Sequence, residues 1–231
     1  MRRAFLLVAF VASALAAGVD GAGATSECRG MMACVPIAGP WVVVPASQQT
    51  PRPEVQYQLK CPKNFIVGGV DAEVTDQGID LWFLGASGAP VGPGTTTSRT
   101  IVFVARYVGA SKQAPTFRPH IGCVPASGGG GRRVRTAATK VNPPGRPAIR
   151  RVQTFRMTAA RHSYSVACRP DERLVAGYSA VAFHLKNPPA AALVAGASAR
   201  QVLTPTHITV AAHSSAGPGL VQVSALCAGG K

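Results

Sequence analysis

Acidic side chains are scarce in this chain. Nine Asp and Glu stand against 24 Lys and Arg, a formal net charge of +15 over 231 residues. None lies between Asp80 and Asp171, an interval that holds 14 basic residues, and none follows Glu172. Glycoside cleavage by two carboxylates is therefore confined to Glu54 and the group Asp71, Glu73, Asp76 and Asp80, in which no spacing singles out an acid and a base. The same group could offer oxygens to calcium, but it lacks the glycine and closing glutamate of a calcium loop. A solvated strand face is the expected role of this group.

Other absences narrow the chemistry further. Aromatic residues make up 6% of the chain, and none occurs from Gly122 to Pro147. Single-stranded nucleic acid is held by aromatics interleaved with cations, so that class of partner is not expected. No Cys-x2-Cys pair exists and no cysteine stands at zinc-finger distance from a histidine, so no metal site is expected. The motifs G-x-S-x-G, S-x-x-K and H-E-x-x-H are missing. His120, His162, His184, His207 and His213 are scattered, and beyond Asp80 their only acids are Asp171 and Glu172. A nucleophile needs a base and an orienting acid in reach, so the reading is non-enzymatic and without a cofactor. The best candidate for a sugar-stacking platform is Trp82-Phe83. Alternation along a strand puts the two on opposite faces, with one in the core.

No apolar run is long. The longest near the N-terminus, Ala4 to Ala17, spans 14 residues, short of the roughly 20 a bilayer-spanning helix needs. It follows Arg2-Arg3, and small-residue exits stand at its end, Ala14-Leu15-Ala16, and beyond it, Ala22-Gly23-Ala24, the layout of a secretory signal peptide. Residues 1–24 are read as that signal. The rest is expected to be secreted, without a transmembrane anchor, and at most loosely associated with the cell envelope.

The chain does contain a repeated cysteine frame. Tyr57-x3-Cys61 and Tyr164-x3-Cys168 each open a strand-like run, and the runs close at Cys123 and Cys227. After each opening cysteine come a polar turn and an apolar segment ending in glycine, Phe65-Ile66-Val67-Gly68-Gly69 and Leu174-Val175-Ala176-Gly177. Six cysteines in an exported chain imply three disulfides, which 15 pairings could satisfy. If each copy closes on itself, the pairs are Cys61–Cys123 and Cys168–Cys227, leaving Cys28–Cys34 in an N-terminal arm.

Between and after these cysteines the sequence reads as short strands rich in β-branched residues, separated by Gly/Pro/Ser clusters. The 19 prolines and 25 glycines argue against long helices. In the alanine-rich stretch from Pro189 to Ala199 a helix competes with a strand over 191–195. The expected fold is all-β: two tandem, disulfide-closed, antiparallel β-sandwich-like domains, residues 25–126 with the arm and 151–231. Residues 127–150 form a Gly/Pro/Arg-rich linker. The two copies could instead pack as one pseudo-symmetric unit.

The densest basic patch is Arg132, Arg133, Arg135, Lys140, Arg146, Arg150 and Arg151, with Arg156 beyond it. Such a field attracts polyanions. The leading expectation is a non-enzymatic envelope protein holding an anionic polymer through this linker. The competing one is an extracellular protein–protein module, of adhesin or inhibitor type, that uses strand edges and loops.

Overall fold

The computed structural model describes residues 25–48, 50–85, 90–92, 98–126 and 148–229. The signal-like segment 1–24 and most of the linker lie outside the described residues. The first half holds seven strands: β1 (Val35–Ala38), β2 (Trp41–Val43), β3 (Glu54–Lys60), β4 (Phe65–Val74), β5 (Ile79–Gly85), β6 (Thr100–Tyr107) and β7 (Thr116–Pro125). The second holds six more, β8 (Ile149–Met157), β9 (His162–Ala167), β10 (Glu172–Phe183), β11 (Ala197–Leu203), β12 (His207–Ser214) and β13 (Gly219–Gly229), with one helix, α1 (Ala191–Ala195), before β11. β8 thus begins two residues before the expected boundary at 151. The alanine-rich segment resolves as a single helical turn. Alanine is the best helix former, and Pro188-Pro189 before it and Gly196 after it confine the helix to five residues.

The pairing is antiparallel throughout the described strands. In the first half β3-β6-β5 form a three-stranded sheet while β4 pairs with β7. In the second, β9-β12-β11 form a three-stranded sheet while β10 pairs with β13. The correspondence extends to single bonds. Cys61 N donates to Arg99 O and Cys168 N to Thr206 O; Val67 N donates to Ser98 O and Leu174 N to Pro205 O. In both pairs the two bonds are 107 positions apart. The register break in β4 between Val67 and Gly69 returns in β10 between Leu174 and Ala176. Disulfides close Cys28–Cys34, Cys61–Cys123 and Cys168–Cys227, each within its own half.

The halves are nevertheless not separate in their backbone pairing. Ala182 and Phe183 of β10 pair with Val42 and Trp41 of β2, so one seven-stranded sheet runs through both. Two apolar clusters flank it. Larger side chains fill the first, including Phe103, Phe117, Tyr107, Ile101 and Ile121, with Ala180 and Ala182 of β10 on its border. The second is built of Val166, Ile208, Val210, Ala212, Val221, Val223 and Ala225, with Met157. Two-residue periodicity dictates this placement. Along β12, Ile208, Val210, Ala212 and Ser214 are buried while the residues between them are half-buried.

A polar layer joins the halves where the second half's sheet meets β3. Gln222 of β13 donates through Nε2 to Gln58 O (3.1 Å) and accepts from Gln58 N at its Oε1 (2.6 Å). The side-chain amide thus stands in for a neighbouring strand. Nearby, Arg150 Nη1 donates to Ser224 Oγ (2.9 Å) and Nη2 to Gln56 Oε1 (2.7 Å), and its guanidinium lies 5.5 Å over the Tyr178 ring. Gln56, Gln222 and Ser224 are buried, and a buried polar group left without such a partner costs about 1–3 kcal/mol.

Candidate functional site

The acidic residues are largely consumed inside the molecule. Asp80 takes two bonds from Arg106 (2.9 and 2.7 Å), and Asp76 accepts from Tyr107 Oη (2.9 Å) and Gly78 N (2.7 Å). Asp71 accepts from Ser26 N at 2.6 Å and tethers the N-terminal arm. Burial pushes the Asp71 carboxyl up, yet the bonds from Ser26 and Ala72, with His120 nearby, hold it below its ordinary value. Glu73 Oε1 stands 3.1 Å from Nε2 of buried His120, whose Nδ1 is 3.8 Å from Glu27. The expectation of a merely solvated acidic face therefore gives way to individual structural roles. Beyond this group, Glu54 accepts from Gln56.

The remaining acid–base pair belongs to the second half. Arg151 donates to Glu172 through Nη2 to both oxygens (2.6 and 2.8 Å) and through Nε to Oε2 (3.2 Å), and Arg169 N adds a third donor at 2.9 Å. The Arg151 bonds first, then the Arg169 amide, hold the Glu172 carboxyl below its usual range. Sulfurs of Cys168 and Cys227 lie beside it, the one metal-like trio among the described residues. Both sulfurs are joined in the disulfide.

Of the expected anion-binding residues, Arg132, Arg133, Arg135, Lys140 and Arg146 lie outside the described residues. Arg150 and Arg151 are both engaged. Burial pushes the Arg150 guanidinium down from its ordinary value, against the pull of Tyr178 and Glu54, and it serves the layer between the halves. Other cations face solvent: Lys60, Lys63, Lys112, Arg161, Arg173 and Arg200 are exposed and have no ion pair among the described residues. The imbalance is largest in the second half, where residues 148–229 carry eight basic and two acidic side chains, against eight and six in 25–126.

Trp82 and Phe83 divide as alternation requires. Phe83 packs into the first cluster and meets Phe103 edge-on at 5.3 Å, while Trp82 lies under the Arg106 guanidinium at 5.5 Å. Tyr57 packs in the cluster that holds Cys61 and Cys123, and burial pushes its hydroxyl up to about 12. Among the histidines, His213 Nδ1 is 3.0 Å from Ser198 Oγ across the β11–β12 pair, with no carboxylate in contact among the described residues.

A cleft of about 620 Å³ opens where the halves face each other. Val43, Val55, Glu54 and Lys112 form one wall; Ala195, Val194, Ala197, Ala199 and Gln201 form the other. Sequence reading missed this feature. The signal that could have exposed it is a difference in loop length. The connection from β5 to β6 runs over residues 86–99, whereas that from β11 to β12 runs only over 204–206. The longer loop folds back on β5, where Pro90 bridges Leu84 and Val91 N donates to Phe83 O (3.1 Å). The shorter one has no residues to do the same for β11. No protein-family model, curated protein or solved structure matches the chain.

Proposed function

We propose that the protein is an exported, non-enzymatic binding or structural protein of the cell envelope that holds an anionic polymer. The observation that supports this reading is the fate of the charges. Glu27, Glu54, Asp71, Glu73, Asp76, Asp80 and Glu172 are each engaged by groups within the chain, while much of the basic excess faces solvent. An uncompensated positive field draws polyanions and speeds their association at low salt. The Gly/Pro/Arg linker, with Arg132, Arg133, Arg135, Lys140 and Arg146, adds the densest charge, and Arg150 and Arg151 anchor its C-terminal side in the fold.

The architecture that carries this surface is an internal duplication. Each copy is a two-layer β-sandwich closed by its own disulfide, and the two pack as one pseudo-symmetric unit. The shared strand order and the bonds repeated 107 positions apart support this reading, as does the repeated cysteine frame. Residues 1–24 act as the cleaved signal, and oxidising export fits three disulfides with no thiol left over among the described residues.

Retention of the mature chain on isolated cell envelope across a sodium chloride series tests the binding reading. With about six ionic contacts, affinity falls by roughly three orders of magnitude between about 50 and 200 mM salt, and Arg132→Ser/Arg133→Ser/Arg135→Ser weakens it. Retention that ignores salt moves the site to the folded halves and a different partner. No retention ends the envelope reading.

A further inference from the structure

We propose that the open edge of β11, with the cleft beside it, is a docking site for an extended peptide strand of a partner protein. Among the described residues β11 pairs only with β12. Ser215 N donates to Gly196 O and Thr204 N to His207 O, which fixes the even positions as those bonded to β12. Antiparallel geometry then turns the backbone N–H and C=O groups of Ala197, Ala199, Gln201 and Leu203 away from it. In the first half, β5 turns the backbone N–H and C=O of Phe83 away from β6 in the same way, and there the chain fills the edge itself, with Val91 N donating to Phe83 O at 3.1 Å. The second half has the same sheet order, and among the described residues nothing pairs with the corresponding edge.

The surroundings of that edge suit a strand. The cleft follows it along Ala197, Ala199 and Gln201, opposite Val43 and Val55. A peptide added here makes main-chain bonds to β11, and its alternate side chains reach the apolar floor at Val181 and Val194. Glu54 and Lys112 both line this cleft; Glu54 already accepts from Gln56, whereas Lys112 has no ion pair among the described residues, which favours an acidic side chain in the peptide. Of the other outer strands of the second half, β8 carries Arg150, Arg151 and Arg156, charges of the kind that protect an edge from strand addition, and β9 lies beside β8, with Tyr164 Oη donating to Arg156 O (2.7 Å). β11 has one charge, Arg200.

The test uses the full mature chain and a displayed library of random heptapeptides, with the enriched sequence then synthesised. The expected result is binding that slows hydrogen exchange at the Ala199 and Gln201 amides. It weakens about tenfold with Ala199→Pro, which removes one outward donor, and by a similar factor when alternate peptide amides are methylated. Ala195→Trp fills the cleft without touching the β11–β12 ladder, so it decides the matter should Ala199→Pro fail to fold. No enrichment over the Ala195→Trp chain, protection at other amides, or binding that survives both methylation and Ala195→Trp overturns the proposal. Self-association of the chain abolished by Ala199→Pro would also overturn it, by giving the edge to a second copy.

Discussion

The two halves share a strand order but fill it with different side chains. Register places Ile101, Phe103, Ala105 and Tyr107 of β6 where β12 has Ile208, Val210, Ala212 and Ser214. The first half thus puts two aromatics at positions where the second puts a valine and a serine. At the heads of β4 and β10, Phe65 N donates to Pro62 O and Glu172 N to Arg169 O. The same turn therefore starts with an apolar ring in one half and with the Arg151-bound carboxylate in the other. Edges differ as well: β3 is capped by Gln222 and β5 by Val91, whereas the outer edge of β11 has no partner among the described residues. The same strand order thus encloses cores of different side-chain volume, each closed by its own disulfide.

Cutting the disulfides tests that comparison most severely. Each long loop stabilises by about 4 kcal/mol in the chain-entropy model. Cys168→Ala/Cys227→Ala should abolish hydrogen-exchange protection in β9, β11 and β12 first, because their cluster has nine buried members against sixteen in the other. Cys61→Ala/Cys123→Ala should lower the urea midpoint while β6 keeps its protection. Equal loss in both halves under either change would show that the shared sheet makes the molecule one cooperative unit.

Core truncation is the next largest effect. Phe103→Ala should cost about 3–5 kcal/mol. Val210→Ala, at the matching position, should cost about 2 kcal/mol from two lost methyl groups and a small cavity. Similar values from urea unfolding would contradict the view that the first half depends more on ring volume. Gln222→Leu should follow at about 1–3 kcal/mol, since it leaves the Gln58 N–H without its partner. A neutral result would mean that water replaces the amide between the halves.

Acid is the mildest perturbation. Asp71 and Glu172 both titrate below their ordinary values in the folded chain, so their contributions are complete above the unfolded-state pKa near 4 and are lost as pH falls through the lower folded value. Between about pH 5 and pH 2 the unfolding midpoint should drop, and Glu172→Gln should flatten part of that slope. Asp71→Asn should instead release the arm, read as faster exchange of the Ser26 amide. An unchanged slope in Glu172→Gln would exclude the Arg151 pair as its source.

Several features were legible from residues alone. The Tyr-x3-Cys frame pointed to the three disulfides, Gly and Pro spacing to short strands, and Trp82-Phe83 to a split between the two faces of β5. Other features were not. Arg150 and Arg151 look identical to their linker neighbours in sequence, yet one bonds Gln56 and the other Glu172. Their partners are 94 and 21 positions away, and charge density along the chain carries no information about such distant pairs.

Local chemistry settles what is local or covalent. Periodicity of two builds strands, proline and glycine end them, and cysteines in repeated frames find one another because each closes its own loop. The joining of β2 to β10, the amide of Gln222 standing in for a strand beside β3, and the placing of the outer edge of β11 across from Val43 and Val55 depend on how two sheets come to rest against each other. That arrangement is set by the sum of many weak side-chain contacts between residues far apart in the chain, and no short stretch of sequence encodes it.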